Sequence, residues 1–266
     1  MPEIMPGKIF GFSPSPVRCT CEQAQAFWAE KDREEQQRAA EEAQRKEREA
    51  MRARIAKLTK ESGIKARFQY RTFDTFQIDK DNKKAAGQCK RYADAFNQIM
   101  LPTKGHDGTM QPPQKERNGL FMTGGFGTGK THLAAAIANE LIRGGTPVIC
   151  MTMIDLLAQI KRTFDRGGSA TEAEIMRLYQ DVPLLIIDDL GSEQPTEWGS
   201  TAIFSIINAR YESYMPVIIT SNYGSGELAE RMTPAGSDGK NAKKTIDRLC
   251  EVCVGIEMNW PSWRTK

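Results

Sequence analysis

The most apolar run in the chain, Leu184-Leu185-Ile186-Ile187, passes directly into Asp188-Asp189. An unbroken apolar run this short fits a central strand buried on both faces. Lesser apolar runs lie at Gly119–Thr123, Pro147–Met151 and Pro216–Thr220, and helical spacing fills His132–Ile142, Ile154–Phe164, Glu172–Tyr179 and Ala202–Tyr214. Strands and helices alternating in this way predict an α/β domain with a parallel sheet. Upstream, Glu22 to Lys60 consists almost wholly of Glu, Lys, Arg, Gln and Ala without Gly or Pro, which favours one long helix. Its apolar positions are too sparse to sustain a heptad seam, so a solvated helix or a partner-binding arm is expected rather than a coiled coil. Ser62-Gly63 ends that helix, and an aromatic-rich connector follows from Ile64 to Ile78. A helix from Lys83 to Met100 carries a core stripe, and Leu101 to Asn118, with three prolines and two glycines, predicts a polar surface loop. Residues 1–18, rich in Pro, Gly and Ser, are expected to be extended or disordered.

Composition changes this picture only locally. The 266 residues have room for one α/β domain plus an appendage, and a net charge of +3 neither demands nor excludes a nucleic-acid partner. Along the long helix acids predominate from Glu22 to Glu42 and bases from Arg45 to Lys60, which suits either a solvated face or a docking arm. Phe27 and Trp28 are the large apolar exceptions, and are candidate anchors in a partner's groove. Met1 to Pro16 is too broken by prolines and glycines for a secretory core or a membrane span, so a cytoplasmic protein is expected. Cys19-Thr20-Cys21 and Cys250-x-x-Cys253 raise the question of zinc, but two histidines and no second C-x-x-C leave a four-ligand site hard to assemble; reduced thiols are the default.

The chemistry begins at Gly124-Gly125-Phe126-Gly127-Thr128-Gly129-Lys130-Thr131, which fits G-x-x-x-x-G-K-[ST] between a predicted strand and a predicted helix starting at His132. Glycines let the backbone turn its N–H groups toward an anion, and the following helix N-terminus adds partial positive charge. The expected ligand is a nucleoside triphosphate: Lys130 reaches its β/γ-phosphates, and Thr131 together with Asp188 holds Mg²⁺. Asp189 is then placed to orient or deprotonate a water beside the γ-phosphate, and Asn222 stands just past the strand ending at Thr220. Ligands of open parallel sheets sit at the carboxyl ends of the strands, where these residues fall.

Taken in order, Gly124–Thr131, Leu184–Gly191, Ile218–Asn222, Thr245–Leu249 and Ser262-Trp263-Arg264 resemble the ATPase domain of DnaC/DnaI-type bacterial replicative-helicase loaders. These are AAA+ ATPases related to DnaA and to IstB-type transposition ATPases. The connector, with Arg67-Phe68, Thr72-Phe73 and Phe76, extends the likeness, which covers residues 62–266. It implies a P-loop AAA+ domain with a central parallel five-stranded sheet flanked by helices; the helical extension expected over residues 1–61 from its composition precedes that domain. It also implies ATP-dependent loading of a hexameric replicative helicase onto single-stranded DNA. By the same resemblance Asn222 positions the attacking water, Arg264 contacts bound nucleotide beside the loop and His132, and Arg248 is an arginine finger offered to a neighbouring subunit's ATP. Self-association through the ATP site follows. Asp189 stands where many AAA+ ATPases have glutamate, which implies slow turnover dependent on assembly or DNA.

Lys161, Arg162 and Arg166, with Phe164 among them, lie where initiators and loaders carry their insertion. Bases that track phosphates and a ring that stacks on a nucleobase would bind single strands; a solvated helix face accounts for them equally well. Other readings remain open: an IstB-type helper that binds duplex DNA and a transposase, a small-molecule phosphotransferase, and an ATP-gated adaptor that scarcely hydrolyses.

Overall fold

The computed structural model describes residues 21–101, 103–104, 110–111, 117–164 and 171–264. They fall into two units that divide between Ala53 and Arg54. Helix α1, Glu22–Glu61, spans the boundary, and in the first unit Phe27 and Trp28 meet edge-to-face at 5.4 Å.

In the second unit α2 (Lys83–Ile99) precedes a two-residue antiparallel ladder, β1 (Thr103–Lys104) with β2 (Met110–Gln111). This corrects the expectation of a plain loop over Leu101–Asn118: part of its backbone pairs with itself. There follow β3 (Gly119–Thr123), α3 (Lys130–Arg143), β4 (Val148–Thr152), α4 (Met153–Arg162), α5 (Glu172–Asp181) and β5 (Leu184–Asp188). Next come α6 (Glu197–Glu212), β6 (Val217–Ser221), α7 (Ser225–Arg231), α8 (Lys240–Val252) and β7 (Cys253–Glu257). Helix α6 starts five residues before the expected Ala202 because the Thr196 hydroxyl caps it, accepting from the Gly199 N–H at 3.1 Å.

The five strands β4-β5-β6-β3-β7 form one wholly parallel sheet. Side-chain alternation divides its strands between two cores. Leu120, Met122, Leu184, Ile186 and Ile218 face α2 and α3, whereas Phe121, Leu185, Ile187, Val217 and Ile219 face α4, α6 and α8. Because β3 lies beside β6, and β6 beside β5, the loops leaving all three emerge together at their carboxyl ends. That edge is the crevice in which open α/β sheets bind ligands.

Candidate functional site

The loop from Gly124 to Gly129 joins β3 to α3. Gly124, Gly127 and Gly129 have φ of 142°, 74° and 99°, backbone that L side chains rarely adopt. Lys130, buried at the start of α3, turns its Nζ back to the carbonyls of Gly124 and Gly125, each at 2.8 Å. Burial pulls its pKa down, while the charges of Asp189 and Asp188 oppose that shift and Arg264 adds to it. Arg264 therefore shares this charge cluster, and a Cβ added at Gly127 would lie 3.4 Å from the Arg264 Cγ.

Asp188 closes β5, buried. Its Oδ1 accepts from the Thr131 hydroxyl at 3.0 Å and the Thr220 hydroxyl at 2.6 Å. Burial still holds its carboxyl above the ordinary carboxylate value, against the pull of those two hydroxyls. Asp189 follows with φ of 58°, its N–H donating to Thr220 Oγ1 at 2.9 Å and its Oδ1 accepting from Asn222 Nδ2 at 2.8 Å. Thr220 thus links both aspartates. The sequence reading gave it no role, and the one signal for it is a hydroxyl residue near the end of an otherwise apolar strand.

The residues present fit a nucleotide with Mg²⁺. A Cβ at Gly125 would meet nothing within 4 Å, so the loop opens outward there. Thr131 Oγ1 and Asp188 Oδ1 form the hard oxygen pair that Mg²⁺ prefers. His132 can take part only through its backbone. Its ring is committed to the connector, with Nε2 3.0 Å from the Thr72 carbonyl and 3.2 Å from Thr75 Oγ1, and Phe76 edge-on at 5.2 Å. Burial lowers its pKa, opposed by the bond to Thr72.

The structure brings Gly124–Thr131, Asp188, Asp189, Asn222 and Arg264 to one edge, and leaves other candidates elsewhere. Arg248, on α8, stacks over Phe204 at 5.0 Å and Tyr211 at 5.3 Å on α6. Lys161 lies over the Trp198 ring at 5.1 Å and Phe164 meets that ring edge-on at 5.7 Å, an aromatic partner on α6 that the sequence reading missed. Arg162 is exposed beside them, and Arg166 lies outside the described residues. Cys19 lies outside them too. Cys250 is exposed on α8 whereas Cys253 is buried in β7, and the described residues contain no cluster of three or more His, Cys, Asp or Glu able to hold a metal. No described helix is long and apolar enough to cross a membrane.

A family model of IstB-like ATP binding proteins matches residues 114–266. The replicative helicase loader DnaC of Buchnera aphidicola subsp. Baizongia pistaciae is 28% identical over 235 residues, 88% of this chain and 84% of that protein. A crystal structure of DnaI is similar at a TM-score of 0.57 and 24% identity, over 75% of this chain and 93% of that one. AMPPCP-bound DnaA from Aquifex aeolicus is similar at a TM-score of 0.52 and 22% identity, over 71% and 50%. The two structural likenesses concern the fold alone.

Proposed function

The chain belongs to the IstB-like ATP binding protein family, and from that premise we propose that it is an ATP-dependent loader of a hexameric replicative DNA helicase onto single-stranded DNA. The observation that carries this reading is the extent of the likeness to the Buchnera loader. Its 235 residues exceed what residues 62–266 can supply, so it reaches into α1, beyond the ATP-binding region that the family model matches.

On this reading the loop amides and Lys130 hold the nucleotide's phosphates, and Lys130 gives up the Gly124 and Gly125 carbonyls to do so. Thr131 and Asp188 hold Mg²⁺, which when bound neutralises phosphate charge. Asp189 accepts the proton of the attacking water. Asn222, hydrogen-bonded to Asp189, orients that water, and Arg264 contacts the nucleotide from the tail. Arg248 serves a neighbouring copy's ATP, so the chain self-associates through this site. Lys161, Arg162, Phe164 and Arg166, joined by Trp198, present stacking surface and positive charge to a single strand. Phe27 and Trp28 anchor the helicase.

The test is co-purification of the full chain with the host's replicative helicase in the presence of ATP. Helicase retained by the full chain and lost on deleting residues 1–61 is the expected result. Recovery of a transposase instead would select the IstB-type helper, and helicase held equally by the truncated chain would move the docking surface off α1.

A further inference from the structure

Beyond β7 the chain turns back over the phosphate-binding loop. The Met258 N–H donates to the Thr123 carbonyl at 2.7 Å, the Trp260 indole Nε1 to the Thr128 carbonyl at 3.0 Å, and the Trp263 N–H to the Gly127 carbonyl at 3.0 Å. The Trp260 ring packs, half-buried, against the core to which α2 and α3 contribute. The contact is close enough to dictate residue type on the loop's side. A Cβ at Gly127 would strike the Ser262 hydroxyl, and one at Gly124 would strike the Met258 carbonyl. Two of the loop's glycines are therefore required by this strap, apart from any phosphate.

We infer that Trp260 is a positioning residue for the phosphate-binding amides, acting through the Thr128 carbonyl. A trans peptide unit points its C=O and its N–H in opposite directions. The unit that contains the Thr128 carbonyl also contains the Gly129 N–H, and the unit that contains the Gly127 carbonyl contains the Thr128 N–H. Drawing both carbonyls outward to the strap turns both amides inward, where successive N–H groups form an anion-binding nest. Two other loop carbonyls are engaged from within: Gly124 and Gly125 accept from Lys130, and Gly125 also from the Thr128 hydroxyl at 3.0 Å. The strap holds two further units that this internal set does not reach. Arg264 leaves the same strap, so the segment that aims the amides also delivers the arginine. The inference rests on the reading that the loop holds a nucleotide's phosphates.

Trp260→Phe keeps the ring in place and removes only the indole N–H. In equilibrium titrations of the full-length variant, ADP binding is expected to weaken about tenfold, the loss of one well-aimed donor's influence. AMP, which has no β-phosphate to fill the nest, is expected to bind as it does to the wild type. The thermal midpoint without nucleotide is expected to fall by only about 2–4 °C, the loss of one part-buried hydrogen bond. Trp263→Pro removes the other donor and is expected to give the same ADP-selective loss. ADP binding unchanged in both variants, or ADP and AMP weakened alike, would overturn the assignment while leaving the nucleotide site intact. A wild-type chain that binds neither ATP nor ADP would instead overturn the nucleotide reading itself.

Discussion

Thr220 shows how much one hydroxyl carries at this sheet edge. It donates to Asp188 and accepts from the Asp189 N–H, so Thr220→Val leaves a buried carboxylate one donor short and orphans an amide. The variant is expected to lose roughly 1–3 kcal/mol of stability, read from denaturant midpoints. Asp188→Asn is expected to act in the opposite sense on the fold. Because burial raises the Asp188 pKa above its unfolded value, its charge costs stability once the pH rises through the window between the two, and the neutral amide avoids that cost at pH 7. A nucleotide-free Asp188→Asn chain should gain stability at pH 7, read as a raised midpoint in thermal unfolding, while ATP hydrolysis is lost. The loop and the two aspartates were legible in the sequence because each is a contiguous run of distinctive residues. Thr220 was not, since its partners lie more than thirty positions away and nothing local distinguishes it.

Among the elements, strands β3, β5 and β6 were legible because burial on both faces demands continuous apolar runs, and β4, at one edge, still carries the apolar run Val148–Met151. β7, an edge strand with the pattern Cys-Val-Gly-Ile-Glu and exposed alternate positions, gave no such run. The connector's aromatic residues were visible but their targets were not. Asn139 on α3 donates to the carbonyls of Phe68 and Arg71 at 2.9 and 2.8 Å, His132 holds Thr72, and Gly129 leaves room for Phe76, whose Cε2 would lie 2.7 Å from an added Cβ. The connector is thereby clamped to the helix that begins at the phosphate loop, and one clamp residue titrates. With the His132 pKa lowered in the folded chain, the unfolded chain takes up its proton first, so stability is complete above the unfolded value near 6.5 and declines as pH falls through it. Thermal midpoints between pH 7.5 and pH 5.5, roughly the window around that value, should fall more steeply for the wild type than for His132→Asn. Equal slopes would remove His132 from the clamp's pH response. A second tie sits on the far side of the sheet. Buried Arg210 on α6 donates to the carbonyls of Tyr179, Gln180, Val182 and Pro216, binding the end of α5 to the starts of β5 and β6. Arg210→Met should cost about 3–5 kcal/mol in denaturant unfolding, because several buried carbonyls lose their donor at once.

At the scale of the whole molecule, Arg248 is the residue whose role one chain cannot complete. Its guanidinium rests on Phe204 and Tyr211, a cation–π arrangement, and its Nε is buried without a hydrogen-bond partner. Nothing in the charge cluster around Lys130 involves it. The sequence placed Arg248 in a basic stretch by family likeness, since no pattern in one chain marks a group that acts on another copy. Supplied to a neighbour, an arginine stabilises charge developing on the γ-phosphate, so Arg248→Ala should leave ATP binding near the wild-type level and lower hydrolysis in the assembled state on the order of 10²-fold. Mixing separates trans from cis action. An Asp189→Asn subunit retains its finger and an Arg248→Ala subunit retains its carboxylate, so an interface is competent only when the second presents ATP to the first. In an equal random mixture that arrangement occurs at about a quarter of interfaces, and about that share of wild-type hydrolysis should return. If Arg248 acted on its own subunit's ATP, every subunit in the mixture would lack one essential group, and no activity would return at any ratio.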